Sequence, residues 1–226
     1  MFKQTRAASL CLLAILSASL AVAQGVHPKT GRKIAGVMGM GGAPWLERSE
    51  REVEEMPDTA LDKLGITPGM AIADVGAGVG YFTLRMARRV APGGKVYAQD
   101  IQPEMLSLLR ARAAKGRIEN VETILGTETD PKLPAGALDL ILLVDVYHEF
   151  AQPQKMLRKL REALKPTGRL VLLEYRKEDP HVPIRPEHKM SVAEVKLELE
   201  DEGFALNRVI PDLPRQHILV FERTSQ

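Results

Sequence analysis

The sequence predicts an α/β fold in which a mostly parallel sheet is covered by helices on both faces. Short apolar runs that are typical of strands alternate with helical patterns of about 10–15 residues. One run, "ALDLILLVDV", is apolar almost throughout, as expected for a central strand that is buried on both faces. The chain has 226 residues, which is enough for one large domain with its own core.

Seven strands and four long helices follow in order along the chain. Pro103 in a first turn, Gly116 beyond a last turn and a capping box of Ser191 and Glu194 mark helix ends. The last two strands are joined only by "DLPRQ", which favours an antiparallel pair. The predicted strands are "MAIADV", "KVYAQD", "VETILG", "ALDLILLVDV", "RLVLLEY", "FALNRVIP" and "HILVFER". The predicted helices are "YFTLRMARRV", "QPEMLSLLRARAAKG", "PQKMLRKLREALKPTG" and "SVAEVKLELEDEG".

The chain divides into three predicted regions. Residues 1–23 are typical of a signal peptide, with two basic residues before an apolar stretch and an A-x-A cleavage pattern that ends at Ala23. Export to the periplasm or the medium is therefore expected, with an uncleaved inner-membrane anchor as the alternative. Residues 24–56 form a glycine-rich linker or flap over a substrate and a charged helix from Trp45 to Met56. Residues 57–226 form the main domain, in which Asp58 caps a short helix that ends at Gly65.

Composition excludes several kinds of chemistry. The single cysteine, Cys11, lies in the predicted leader, so a mature chain has no thiol nucleophile and no cysteine-based metal site. Without the two basic residues of the leader, 29 basic residues match 29 acidic ones, which gives no electrostatic support for a nucleic-acid partner. No other segment is predicted to span a membrane. The expected partner is a small-molecule substrate, and the sequence leaves the oligomeric state open.

A glycine-rich loop after the first strand is the strongest functional signal. In "ADVGAGVG", Gly76, Gly78 and Gly80 allow a ligand to approach the main chain, and Asp100 follows 20 residues later, where a carboxylate can bind ribose hydroxyls. The spacing differs from the G-x-G-x-x-G pattern of dinucleotide sites, which disfavours an NAD-dependent oxidoreductase. Asp74 would repel a pyrophosphate but suits a ligand with an ammonium or sulfonium group. The loop therefore predicts a site for a cationic nucleoside.

These residues resemble the first motif of the class I S-adenosylmethionine-dependent methyltransferases, and the likeness extends over about residues 65–223. "VYAQDI", "ILGTETDPKLP", "LDLILLVDVYHEF" and "LKPTGRLVLLEY" are similar to the later motifs of that family. The resemblance implies a Rossmann-like three-layer sandwich whose seven-stranded, mostly parallel sheet has an antiparallel last strand. It also implies S-adenosyl-L-methionine as cofactor and methyl transfer as the reaction.

The resemblance also implies roles for individual residues. Asp74 would orient the methionine amino group through the loop, and Asp145 would face the methionine moiety or the substrate. The glycines would line the cofactor, Asp100 would bind the ribose, Ile101 would pack on adenine, and Thr127 or Glu128 would lie near the adenine amino group. A non-catalytic protein that keeps this fold to bind a nucleoside or metabolite is the alternative function.

The sequence says less about the methyl acceptor than about the cofactor. His148 is the first choice for a base or substrate contact, because it titrates near neutral pH and follows the fourth strand directly. Tyr147 could also take part, and Tyr81 or Tyr147 could lie against the sulfonium through its ring face. No metal site is predicted, because the candidate ligands His148, His188 and His217 are scattered along the sequence. A quinone-like or phenolic small molecule is the expected acceptor.

Overall fold

A computed structural model describes residues 25–224, so the predicted leader, residues 1–23, lies outside the described residues. Seven strands form one sheet in the order β3-β2-β1-β4-β5-β7-β6. Strand β7 is antiparallel to both of its neighbours and every other pair is parallel, so the predicted fold class is confirmed. The strands are β1 (Ala71–Val75), β2 (Lys95–Asp100), β3 (Val121–Leu125), β4 (Leu138–Val144), β5 (Leu164–Tyr175), β6 (Phe204–Ile210) and β7 (Gln216–Arg223).

Helices cover both faces of the sheet. The alternation of side chains along β4 sends Ile141 and Leu143 into one apolar cluster and Leu140 and Leu142 into the other. The helices are α1 (Ala43–Leu46), α2 (Arg51–Glu54), α3 (Pro57–Asp62), α4 (Thr83–Val90), α5 (Pro103–Lys115), α6 (Pro153–Ala163) and α7 (Val192–Asp201). Side chains of α6 and α7 fill the first cluster, and those of α3 and α4 fill the second. The continuous apolar run of β4 is thus explained by burial on both faces.

Most element boundaries agree with the sequence patterns, and the predicted capping box is present. The Ser191 hydroxyl accepts a hydrogen bond from the Glu194 backbone at 3.1 Å, while the Glu194 carboxylate accepts one from the Ser191 backbone, also at 3.1 Å. Helix α6 ends earlier than predicted, at Ala163. The next residue, Leu164, pairs with Leu138 of β4, so "LKPTG" belongs to β5 instead of the helix.

The predicted helix from Trp45 to Met56 is instead two short helices, α1 and α2. The carbonyl of Leu46 accepts a hydrogen bond from the Arg51 guanidinium at 2.7 Å, which occupies an acceptor at the end of α1. The prediction that Asp58 caps α3 is also wrong. Met56, at φ 46°, holds the position before α3, and the Asp58 carboxylate accepts a hydrogen bond from Arg89 at 2.8 Å instead.

The segment from residue 25 to residue 42 is packed against the main domain. Ile34 and Ala35 are buried, and the Ala35 amide donates to the His148 carbonyl at 3.0 Å. The Arg32 guanidinium forms a buried ion pair with Glu198 of α7, with Nε–Oε1 at 2.9 Å. Residues around 32–35 therefore anchor this segment beside the sheet's carboxyl edge, whereas Val37 and Met40 are exposed. Among residues 25–224, no helix has the length and apolar character needed to cross a membrane.

Candidate active site

A cavity of about 530 Å³ opens at the carboxyl ends of β1, β2 and β4. This edge is where ligands bind in open α/β sheets, and the volume falls in the usual range for small-molecule sites. The cavity brings together most of the residues predicted from the sequence. Of these, Gly76, Gly78, Asp100, Ile101, Thr127, Glu128, Asp145 and His148 line it.

The glycine loop has no room for a side chain at two of its positions. Gly76 has φ 73°, and a Cβ there would overlap the side chain of Val146. Gly80 has φ 86°, and a Cβ there would lie 2.7 Å from Leu109 Cγ. Gly76 therefore borders the cavity, whereas Gly80 is needed for packing on α5 and is not part of the cavity lining.

Asp100 fixes the loop from the end of β2. Its carboxylate accepts hydrogen bonds from the Gly78 amide at 2.8 Å and the Gln102 amide at 2.9 Å. Burial raises the pKa of Asp100, although these backbone donors act in the opposite direction. Asp100 therefore lies against the loop at the cavity wall, where a ribose is expected, with Ile101 beside it.

Asp74 lies beneath the glycine loop and not in the cavity wall. It is only 3% exposed, and it accepts a hydrogen bond from the Thr83 hydroxyl at 2.5 Å. Burial raises the pKa of Asp74 to about 6, with the Thr83 hydrogen bond opposing this shift and the charge of Asp100 adding to it. A role through the loop, as the resemblance implies, agrees with this position.

The structure does not support a cofactor contact for Tyr81. The guanidinium carbons of Arg51 and Arg85 lie 4.0 Å and 4.2 Å from its ring centroid, and its hydroxyl bonds to Glu52. Two arginine side chains thus lie against its ring, and Tyr81 is not part of the cavity lining. The contact of Tyr81 with a sulfonium stays a prediction, and this position of its ring does not favour it.

Asp145 reaches the cavity from a strained turn after β4. Its φ is 49°, a left-handed conformation that side chains rarely adopt. One carboxylate oxygen accepts a hydrogen bond from Gln216 Nε2 at 2.7 Å, and the other is buried without a partner among the described residues. Burial, with the charges of Glu55 and Glu174, raises the pKa of Asp145 well above its usual range.

His148 is held by a carboxylate that the sequence patterns did not reveal. Its Nδ1 lies 2.7 Å from Glu174 Oε2, and the other oxygen of Glu174 accepts a hydrogen bond from the Tyr147 amide at 3.0 Å. Burial alone would lower the pKa of His148, but the ion pair and hydrogen bond with Glu174 outweigh it and raise the pKa. The one available signal was Glu174 itself, a lone acid at the end of the apolar strand "RLVLLEY".

Tyr147 is placed in the core beside the cavity, and this position does not favour the predicted catalytic role. It is fully buried, and its hydroxyl donates to Glu198 at 2.8 Å. Its ring packs edge-on against Phe150, with centroids 5.6 Å apart. These contacts direct Tyr147 away from the cavity and toward α7.

Two further residues join His148 at the polar end of the cavity. His188 Nδ1 lies 3.1 Å from His148 Nε2, so these two histidines are adjacent in space although 40 residues separate them. Glu149 also lines the cavity, and burial raises its pKa to about 7. His217, by contrast, pairs opposite Glu174 in the β5–β7 register and is not part of the lining. The histidines are scattered along the sequence as stated above, but His148 and His188 are brought together in space.

The first helices and the preceding segment complete the cavity. Met38, Trp45, Leu46 and Arg51 line it from one side. Trp45 is 38% exposed and stacks against Arg48, whose guanidinium carbon is 3.7 Å from its ring. The side chains that border the cavity thus come from both the sheet edge and the N-terminal segment.

Comparison with known proteins agrees with this architecture. The family described as "Methyltransferase domain" matches residues 66–210, which is more than half of the chain. A ubiquinone/menaquinone biosynthesis C-methyltransferase UbiE from Hahella chejuensis is 29% identical over 118 residues, which cover 52% of this chain and 47% of the relative. A protein-L-isoaspartate O-methyltransferase from Methanothrix thermoacetophila is 32% identical over 111 residues, covering 49% of this chain and 50% of that protein.

A solved structure gives a longer match. A SAM-dependent methyltransferase from Aquifex aeolicus superposes with a TM-score of 0.77 and 29% identity, covering 82% of this chain and 98% of that one. The chain spans about half the length of the curated relatives, so their whole activities are not carried over. The match over residues 66–210, together with the seven-stranded sheet and the glycine loop, shows that this chain belongs to the methyltransferase domain family.

Proposed function

We propose that the chain transfers a methyl group from S-adenosylmethionine to a small-molecule acceptor. The observation that carries this proposal is a single cavity that joins the glycine loop and Asp100 at one end to His148 at the other. Methyl transfer needs the cofactor and the acceptor in one enclosed space, because the nucleophile, the methyl carbon and the sulfur must lie in line. Such positioning can supply about 7–11 kcal/mol of the barrier.

The cofactor occupies the end of the cavity beside β1 and β2. Backbone groups around Gly76 and Gly78 approach the ligand closely, Asp100 binds the ribose, and Ile101 packs on adenine. Thr127 and Glu128 border the same end, where the adenine amino group is expected. The identity of the Aquifex aeolicus neighbour as a SAM-dependent enzyme supports this assignment.

The acceptor occupies the other end, where the lining combines apolar side chains with a few ionisable ones. Phe150, Met156 and Ile184 supply apolar surface, while His148 and Glu149 supply polar groups. This mixture suits a ring or hydrocarbon that carries one ionisable hydroxyl or enol, such as a phenol or quinol. His148 is the contact for that oxygen, and Glu174 fixes the orientation of its ring.

The curated relatives differ in both the acceptor and the acceptor atom that their names give. One is named for methylation at carbon in quinone biosynthesis and the other for methylation at oxygen of a protein residue. The stretches they share with this chain cover about half of it, so the acceptor atom is taken from the chemistry of this cavity.

The test combines binding with turnover. Calorimetric titration of the purified protein with S-adenosylhomocysteine should show saturable binding at one site, whereas NAD should show none. Radiolabelled S-adenosylmethionine should then transfer its methyl group to members of a panel of quinols and phenols. Saturable binding without any methyl transfer to the panel or to a cell extract would instead support the non-catalytic binding protein.

A variant separates the role of His148 from that of the cofactor site. His148→Gln should lower methyl transfer at least about tenfold, because a positioned general acid or base contributes about 100-fold or more. It should leave the affinity for S-adenosylhomocysteine within about twofold of the original, because His148 lies at the acceptor end. His181→Gln is the matched control, since His181 is an exposed histidine outside the cavity.

We also propose that the protein is exported. Lys3 and Arg6, followed by the apolar stretch that ends at Ala23, support a cleavable leader. Cell fractionation and sequencing of the mature N-terminus test this. A mature chain that begins at Gln24 outside the cytoplasm is expected, and a cytoplasmic chain that retains residues 1–23 would contradict it.

A further inference from the structure

We propose that His148, His188 and Glu149 form a binding site for a divalent transition-metal ion at the acceptor end of the cavity. His148 and Glu149 lie in the short helical turn after β4, and His188 lies in the turn Pro186–His188 before α7. Their ligand atoms, one from each residue, all lie within 4.8 Å of one another. All three residues line the cavity.

The spacing of the two histidines fits a shared ion. His148 Nε2 and His188 Nδ1 are 3.1 Å apart. Two nitrogen ligands at the usual Zn–N distance of about 2.0–2.1 Å, with an angle of about 90–110°, are separated by about 2.9–3.4 Å. The rings cross at 82°, so a small ion can be approached by both without the rings stacking. Coordination therefore requires little movement of either ring.

Glu174 supplies the outer support that metal-binding histidines commonly have. It is fully buried, and its Oε2 lies 2.7 Å from His148 Nδ1. The other ring nitrogen of His148, Nε2, is therefore directed toward His188 and the cavity. A histidine that donates one ring N–H to a carboxylate and binds the metal through the other nitrogen is a recurrent arrangement. The Tyr147 amide holds the second oxygen of Glu174, so this carboxylate is fixed from two directions.

The charge at this end of the cavity also favours a cation. Glu149 is half-buried, and within residues 25–224 no lysine or arginine forms an ion pair with it. A half-buried carboxylate without a counter-charge is still unfavourable, and a divalent ion beside it would offset that cost. Of the basic side chains that reach this region, Arg32 is committed to Glu198 and to the His148 carbonyl, whereas Arg185 lines the cavity and offsets part of the negative charge.

The donor set indicates which ions fit. Two imidazoles and one carboxylate suit Zn²⁺, Fe²⁺, Mn²⁺ or Co²⁺, whereas Mg²⁺ and Ca²⁺ prefer oxygen ligands throughout. Three protein ligands leave at least one coordination position open to the cavity, as in catalytic rather than structural zinc sites. The site is therefore expected to take a transition metal and to keep room for an exogenous oxygen.

The consequence for catalysis rests on the proposed function, whereas binding of the ion alone does not. An acceptor hydroxyl or enol oxygen would fill the open position, and its bond to the ion would lower its pKa so that the proton leaves to solvent. The resulting anion is the nucleophile that displaces the neutral thioether from the methyl carbon. His148 would then contact the acceptor through the ion.

The experiment uses the purified full chain without a histidine tag, first stripped with a chelator. Titration with Zn²⁺ alone, followed by calorimetry, should give one ion per chain, and Co²⁺ should give the visible absorption bands of a nitrogen-and-oxygen site of low coordination number. His188→Gln should weaken binding at least about 100-fold, and Glu174→Gln should weaken it about 10–100-fold through loss of outer support. His181→Gln, an exposed histidine beside Asp179, should bind as the unaltered chain does.

Two results would overturn the proposal: no stoichiometric binding to the unaltered chain at micromolar Zn²⁺, or equal affinity of the unaltered chain and His188→Gln. Circular dichroism of each variant should match that of the unaltered chain, and Glu174→Gln provides a second variant if His188→Gln fails to fold. Titration of the same stripped samples with S-adenosylhomocysteine separates the two proposals. Cofactor binding without metal binding rejects only the metal site, and metal binding without cofactor binding rejects only the proposed function.

Discussion

Replacement of Asp74 by asparagine should change how the stability of the protein depends on pH. Asp74 is buried beneath the glycine loop, and burial raises its pKa from 3.8 to about 6. The native state therefore holds the Asp74 proton more tightly than the unfolded state does. The stabilisation from this proton is fully present below pH 3.8, and it is lost as the pH rises through about 6.

The size of the effect follows from the two pKa values. A difference of about two units corresponds to about 3 kcal/mol of unfolding free energy at about 1.4 kcal/mol per unit. The asparagine side chain in Asp74→Asn does not titrate, and its amide oxygen can still accept the hydrogen bond from the Thr83 hydroxyl. The unfolding free energy of Asp74→Asn minus that of the unaltered chain should therefore increase by about 2.5 kcal/mol between about pH 4 and about pH 7, because a small part of the effect already lies below about pH 4.

Urea denaturation of both proteins at half-unit steps from about pH 4 to about pH 8 measures this difference. Other titrating groups are common to both proteins and largely cancel in the subtraction. Asp58→Asn is a control, because the hydrogen bond from Arg89 lowers the pKa of Asp58, so this carboxyl titrates below the measured range and its difference curve should be nearly flat. A difference curve for Asp74→Asn that is flat across this range would refute the reasoning, since it would mean that Asp74 does not hold a raised pKa.

Three further substitutions test the cofactor loop and the N-terminal segment. Asp100→Ala should weaken S-adenosylhomocysteine binding about 10–100-fold in calorimetry, since hydrogen bonds to a charged group contribute about 1.5–3 kcal/mol. Gly76→Ala should lower the unfolding free energy by more than about 1–2 kcal/mol, because strain at φ 73° adds to an overlap with Val146. Arg32→Ala should lower it by about 3–5 kcal/mol in urea denaturation, because the buried Glu198 loses its cation.

Matched controls exist for each of these. Asp212→Asn removes an exposed carboxylate outside the cavity lining and should leave the cofactor affinity unchanged. Gly31 has φ 71°, but a Cβ added there would meet open space, so Gly31→Ala should lower the unfolding free energy by the backbone strain alone. Lys29→Ala breaks an exposed pair with Asp201 and should cost no more than about 1 kcal/mol. Equal losses in a test variant and its control would contradict the corresponding argument.

The fold could be predicted from the sequence because its signals are local. The apolar run of β4, the capping box at Ser191 and the turn glycines each act within a few residues. The cofactor end of the site was predictable for a related reason: Gly76, Gly78 and Asp100 belong to consecutive strand ends that a parallel sheet brings together. These features depend on strand and helix patterns and not on distant side chains.

The acceptor end could not be predicted in the same way, because its contacts join distant parts of the chain. The partner of His148, Glu174, is 26 residues away, and they meet only because β4 and β5 are neighbours in parallel register. Tyr147 and His148 are neighbours in the same motif, yet the turn after β4 directs the tyrosine into the core and the histidine into the cavity. In this turn two neighbouring side chains point in different directions, and that direction decides the role of each. Sequence periodicity does not show which residue of such a short turn faces the cavity.

The cavity wall also shows why the acceptor must be determined from this chain itself. The matched domain begins at residue 66, but Met38, Trp45 and Arg51 line the same cavity from outside it. They are held in place by contacts of the N-terminal segment, such as Arg51 with the Leu46 carbonyl and Arg32 with Glu198. Part of the cavity wall thus lies outside the matched domain, whereas the glycine loop and Asp100 lie within it. Acceptor specificity is therefore expected to change with the N-terminal segment, while cofactor affinity stays with the glycine loop and Asp100.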